Sequence, residues 1–233
     1  MNNAHAAGHV ERPESFGPLF WGAALAGFIL SRWWYHAQGV DFWSDTVYFF
    51  SQILDPPLLT DHLLQSLWYL HAQPPLFNLL TGVVMKCAPT SFPAVFLAIF
   101  LVIGFATLAF TALSLTRLGF NRWLALAVSL AFTCAPPFVI YENWYFYPHI
   151  CMFLLAAAAW LFLRSGGRPG PWMQGAFWVL AVLVLTRSLF HPLYLVIAVA
   201  ITVANGGRGA RKALLLCAIG PLVVVGLLCL KNL

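Results

Sequence analysis

The sequence predicts an all-α, polytopic membrane protein of about seven transmembrane helices, with a long first outer loop carrying two or three interfacial helices. Three observations carry this prediction. The chain is 61% hydrophobic and 8% charged, with a mean hydropathy of +0.83, against roughly 25% charged residues in a soluble domain. Apolar runs near the length of a bilayer crossing recur along it. Four of its seven acidic residues, Asp41, Asp45, Asp55 and Asp61, crowd into one polar stretch after the first apolar run.

Taken in order, residues 1–17 are polar and lack the charged segment directly before an apolar core that marks a cleaved signal. They read as a cytoplasmic tail, and 18–233 as one membrane domain. The predicted spans are 18–37, 91–114, 123–140, 148–164, 172–187, 191–205 and 213–230. Pro93, Pro148 and Pro192 fall near span starts, where a missing N–H costs least. In the first outer loop, 38–90, the aromatic run 41–54 and the segment 61–70 read as surface helices, with Asp61 as the N-cap of the second.

The segment Pro75–Cys87 is helical in pattern but spans only about 20 Å at 1.5 Å per residue. Charge settles its placement. If it stays on the outer surface, Arg12, Arg117, Arg122, Arg164, Arg168, Arg208, Arg211 and Lys212 lie inside, eight of the twelve basic residues. If it crosses, seven of those eight move outside, against the positive-inside rule. It is therefore expected to be interfacial. The second outer loop, 141–149, and the third outer turn, 186–192, then share the side of the first loop. The net charge of +5 reads as topology and not as a nucleic-acid footprint. Five cysteines, with no C-x-x-C, give no disulfide or zinc framework and read as small packing residues.

The candidate chemistry lies on this outer side. Asp45 and Asp41, four apart, share a face if one helix holds both, and either carboxylate can act as a base or hold a divalent cation. In His71-Ala-Gln73-Pro74-Pro75 the prolines present His71 and Gln73 rigidly. Glu142 is a lone carboxylate beside a span, costly unless paired or functional. His149, Tyr145 and Tyr48 are candidate substrate contacts. Arg187 can fork onto a phosphate, with His191 beside it. No Walker A, H-E-x-x-H or G-x-S-x-G motif is present.

An Asp soon after the first span, a long first outer loop ending in His71-Ala-Gln73-Pro74-Pro75-Leu76-Phe77-Asn78, and an acidic second outer loop resemble the GT-C class of membrane glycosyltransferases. The closest likeness is to the protein-mannosyltransferase and aminoarabinose-transferase type. Two residues stand between His71 and the proline pair where the family has an H-P-P-L-like motif, and Ser44 precedes Asp45 where it has adjacent acids. The resemblance implies a sugar donor on a polyprenyl phosphate, inversion at the anomeric carbon, and a plasma-membrane site facing outward. It implies Asp45, in a D-x-x-Y pattern with Tyr48, as catalytic base, with Asp41 as the alternative. It also implies Glu142 as an acceptor or metal contact. A divalent metal, Mg or Mn, on Asp45 and Glu142 and a partner subunit supplying a C-terminal part are further expectations. Glycine- and arginine-rich inner loops fit a bacterial membrane. Two other classes stand against this reading: a transporter or permease subunit, and a non-catalytic lipid-binding scaffold.

Overall fold

A computed structural model describes residues 16–70 and 73–231. It is 77% helix, and among the described residues no strand forms beyond one isolated bridge between Trp43 and Trp144. The helices are α1 (Pro18–Ala37), α2 (Thr46–Phe49), α3 (Pro56–Asp61), α4 (Leu63–Tyr69), α5 (Pro75–Cys87), α6 (Phe92–Arg117), α7 (Arg122–Thr133), α8 (Pro136–Asn143), α9 (Tyr147–Ser165), α10 (Pro171–Thr186), α11 (Leu193–Asn205) and α12 (Arg211–Leu230). Proline opens α1, α3, α5, α8 and α10, where its fixed φ suits the first turn and its missing N–H leaves no gap. Gly166, at φ 58°, ends α9 in the left-handed conformation that side chains resist.

Three helices are long and apolar enough to cross a membrane: α6, α9 and α12. A fourth crossing exists if α7 and α8 count as one span bent by 58°. The predicted span 123–140 is thus two helices. Pro136 and Pro137 break it, and the freed carbonyl of Cys134 accepts a 3.0 Å hydrogen bond from the Tyr35 hydroxyl. The helices α10 and α11, with 16 and 13 residues, are shorter than the roughly 20 residues of a straight crossing.

Contacts between the helix ends divide the molecule into two faces. At one, Phe20 near the start of α1 packs on Trp123 at the start of α7, with ring centroids 5.9 Å apart. Arg164 lies 3.9 Å over the Trp172 ring on this face. The other gathers the end of α1, the described residues of 38–70 and 73–74, the α8–α9 junction, the α10–α11 turn and the end of α12. Lys231 fastens the last of these by donating to Leu67 O at 3.0 Å and Leu70 O at 3.4 Å.

The long segment after α1 differs from its predicted form. No helix runs over 41–54; only α2, four residues long, forms there. Neither Asp41 nor Asp45 lies within a helix, so the shared-face argument for them does not hold. Asp61 ends α3 instead of capping the next helix. The reason for the short α2 is local. The Trp43 backbone pairs across to the α8–α9 junction, and those groups are lost to a helix. One face of α5 is buried, through Phe77, Asn78, Thr81, Val84 and Met85, and it packs on α3, α4, α6 and α10.

Candidate functional site

The loop-rich face is held together by polar contacts between segments far apart in sequence. Trp43 N–H donates to Asn143 O at 2.8 Å, and Tyr145 N–H donates to Trp43 O at 3.0 Å. The Trp144 indole donates to Thr46 Oγ1 at 3.2 Å. The Trp43 and Trp144 rings stack at 6.4 Å. A cavity of about 330 Å³ opens beside them, lined by Val40, Asp41, Trp43, Ile140, Asn143 and Trp144. Asp41 Oδ1 lies 2.9 Å from His36 Nδ1, and both side chains are exposed.

Below this junction sits a buried ion pair. Arg32 Nε and Nη2 each donate to one oxygen of Glu142, both at 2.7 Å. Glu142 has no solvent exposure and Arg32 only 11%. The guanidinium lies 3.6 Å from the Phe28 ring centroid, a favourable placement over an aromatic face. Gly104 makes room for the carboxylate, since a Cβ there would fall on Glu142 Oε2. His149, also fully buried, stands 3.9 Å from Glu142 and donates from Nε2 to Phe100 O at 3.0 Å. That bond fixes the proton on Nε2. Arg32 is not among the predicted site residues. Its signal is a lone base in the last turns of the first helix, matching a lone acid after the third predicted span.

A third group surrounds Arg187. Its guanidinium lies 4.4 Å from the Tyr147 ring centroid, and the Tyr147 hydroxyl donates to Gln52 Oε1. Asn78 braces that segment, accepting from Leu54 N–H at 2.8 Å and donating to Gln52 O at 3.3 Å. Ser188 Oγ donates to Gln73 Oε1 at 3.4 Å. Among the described residues no carboxylate lies within 4.0 Å of Arg187. A second cavity, of about 760 Å³, lies between α3 and α4, with His62, Gln65, Ser66 and Tyr69 among its walls.

The predicted site residues therefore fall into separate groups. Gln73 and Arg187 share one, and Glu142 and His149 another. Asp41 lines the first cavity. Asp45 is exposed ahead of α2, makes no side-chain cap bond, and lines neither cavity. Tyr48 is exposed. Tyr145 is buried and hydrogen-bonded to Thr81, and burial holds its phenol above the usual tyrosine range. His191 accepts from Leu193 N–H at 3.2 Å and so caps the start of α11. His71 lies outside the described residues. Both Glu142 oxygens accept from Arg32, while the Asp45 residue is exposed. Among the described residues no three His, Cys, Asp or Glu side chains gather as a metal-binding group. Comparison of the chain with protein-family models, with curated proteins and with solved structures finds no match.

Proposed function

We propose that this chain is a membrane glycosyltransferase that moves a sugar, with inversion, from a polyprenyl-phosphate donor to an acceptor at the outer face of a bacterial plasma membrane. In this reading seven helical passages cross the bilayer and the loop-rich face points outward. The observation that carries it is Arg187: a cation at that face, without a carboxylate partner among the described residues, lying over the Tyr147 ring, whose hydroxyl bonds Gln52, and next in the chain to Ser188, which bonds Gln73. A guanidinium among neutral hydrogen-bonding groups suits a lipid-linked phosphate, which it binds through two parallel N–H donors. A carboxylate of the first loop, Asp45 or Asp41, takes the acceptor proton. Glu142, held by Arg32, orders the second loop and leaves the chemistry to other residues.

The experiment is sugar transfer from polyprenyl-phosphate mannose and glucose donors by the full chain in lipid nanodiscs. Asp45→Asn and Asp41→Asn are compared with wild type, and loss of a general base lowers the rate about 10²–10⁴-fold. Arg187→Ala raises the donor KM at least tenfold. A non-catalytic lipid-binding reading stands beside this one, because Glu142 is closed to solvent and held by Arg32. It is the right one if the donor lipid binds in an Arg187-dependent way and no sugar moves.

A further inference from the structure

We propose that the face opposite the loop-rich one binds anionic phospholipid, and that Arg164, lying on two tryptophan rings, is its phosphate-binding residue. The proposal is independent of sugar transfer and uses none of the residues assigned to it. Charge picks out this face. Arg117 and Arg122 flank the α6–α7 turn, Arg164 and Arg168 precede α10, and Arg208 and Lys212 flank the start of α12. All of these but Arg122 are exposed. The acids within the described residues, Asp41, Asp45, Asp55, Asp61 and Glu142, all belong to segments of the loop-rich face. Glu11 and Glu14 lie outside the described residues. Two contacts bring the three turns to one level. Phe110 stacks on Trp160 with ring centroids 5.1 Å apart, which sets α6 beside α9. From there Arg117 lies about 10 Å and Arg164 about 6 Å further along their helices, at 1.5 Å per residue. Cys217, in the second turn of α12, has its Sγ 3.9 Å from Gly170 O at the start of α10, so Lys212 ends at this level too.

The apolar surface beside these cations picks the partner. Leu118 and Phe120 stand exposed between Arg117 and Arg122, and the exposed Leu215 and Leu216 follow Lys212. Trp123 and Trp172 are exposed as well, and tryptophan rings settle at the headgroup level of a bilayer. The cations therefore stand at the rim of an apolar sheath. An RNA or a soluble acidic protein would neutralise the cations and leave that sheath bare. An anionic phospholipid covers both, with its phosphate on the cations and its acyl chains along the helices.

Arg164 differs from its neighbours in being held. Its guanidinium lies 3.9 Å from the Trp172 ring centroid and 5.1 Å from that of Trp160. The two rings meet edge to face, with centroids 5.8 Å apart. Stacking occupies the flat face of a guanidinium and leaves the N–H donors at its edge to bond. Among the described residues no carboxylate lies within 4.0 Å of it. A planar fork ordered in advance matches two phosphate oxygens through two parallel bonds and gives up little freedom on binding. Arg211, by contrast, spends its donors on Gly206 O at 3.2 Å and Ala204 O at 3.3 Å, and so caps the end of α11.

The test uses the full chain in phosphatidylcholine bilayers. Electron paramagnetic resonance compares the association of spin-labelled phosphatidylglycerol with that of spin-labelled phosphatidylcholine. Wild type should prefer phosphatidylglycerol severalfold at low salt, and the preference should shrink as salt is raised. Equal association of the two lipids overturns the proposal, and tight binding of a short RNA by the same protein would then assign the face to nucleic acid instead. Arg164→Gln combined with Arg168→Gln should remove most of the preference, while Lys86→Gln, which discharges a cation on the predicted outer side, should leave it unchanged. An undiminished preference in the double variant overturns the site. Arg164→Lys keeps the charge and loses the planar fork, so it should lose as much as Arg164→Gln; full preference in Arg164→Lys overturns the role of the tryptophan rings. The salt series on wild type decides the matter even if a variant does not fold, since a preference that survives high salt overturns charge as its cause.

Discussion

At Glu142 the sequence places a carboxylate where water cannot reach, and Arg32 is what makes that tenable. Removing two charges from water costs several kcal/mol each, offset only by good geometry and further bonds. Here both carboxylate oxygens take a 2.7 Å bond. Removing one partner strands the other, so Glu142→Leu and Arg32→Met should each cost about 3–5 kcal/mol. The double variant, with neither charge left, should recover most of that loss. Chemical denaturation in mild detergent, read as the midpoint of helical signal, checks the three. The scarcity of acids made Glu142 visible in the sequence. Its partner was not read, because counting charges by side of the membrane does not say which helix faces meet.

Elements were legible where proline and apolar length act together. The bounds of α1, α5, α6 and α9 lie within a few residues of those predicted. The 41–54 run was misread because its aromatic residues fit a surface helix and a cross-loop packing unit equally well. The pairing of Trp43 with Asn143 and Tyr145, which decides it, is a contact about a hundred residues away. The close approach of α6 to α8 was equally hidden, since it depends on a missing side chain at Gly104. Gly104→Ala should push the Glu142 carboxylate off its bonds and cost roughly 1–3 kcal/mol, the usual range for overpacking. Unfolding measurements alone cannot assign that cost. Combining Gly104→Ala with Glu142→Leu does so, because the two losses should then fall well short of additive.

For the whole molecule, charge predicts an inner and an outer side, and the contacts of Lys231, Ser188 and Trp43 tie segments of the predicted outer side to one another. What charge could not supply is the sorting of polar residues within the loop-rich face. That sorting depends on side-chain packing, and the predicted single site becomes separate groups around Asp41, Glu142 and Arg187. The proposed seven crossings make a sharp prediction for cysteine labelling in intact cells lacking the native thiols. Cysteines at Ser44 and Ser188 should react with a membrane-impermeant maleimide added outside. A cysteine at Arg168 should react only after the cells are opened. External labelling of the Arg168 position would overturn the orientation.

The break at Cys134–Ala135 has a mechanical meaning. Beyond it, α8 is a short lever whose free end is clamped to the first loop through Trp43. Arg32 acts as the stop against which that lever rests. A ligand that drew Asp41 and Trp43 together would load the lever through Asn143. The strain would pass to α1 through Arg32 and to α9 through the rings of Trp144, Phe146 and Tyr147, which pack in a row, so a local closure would register in two helices at once.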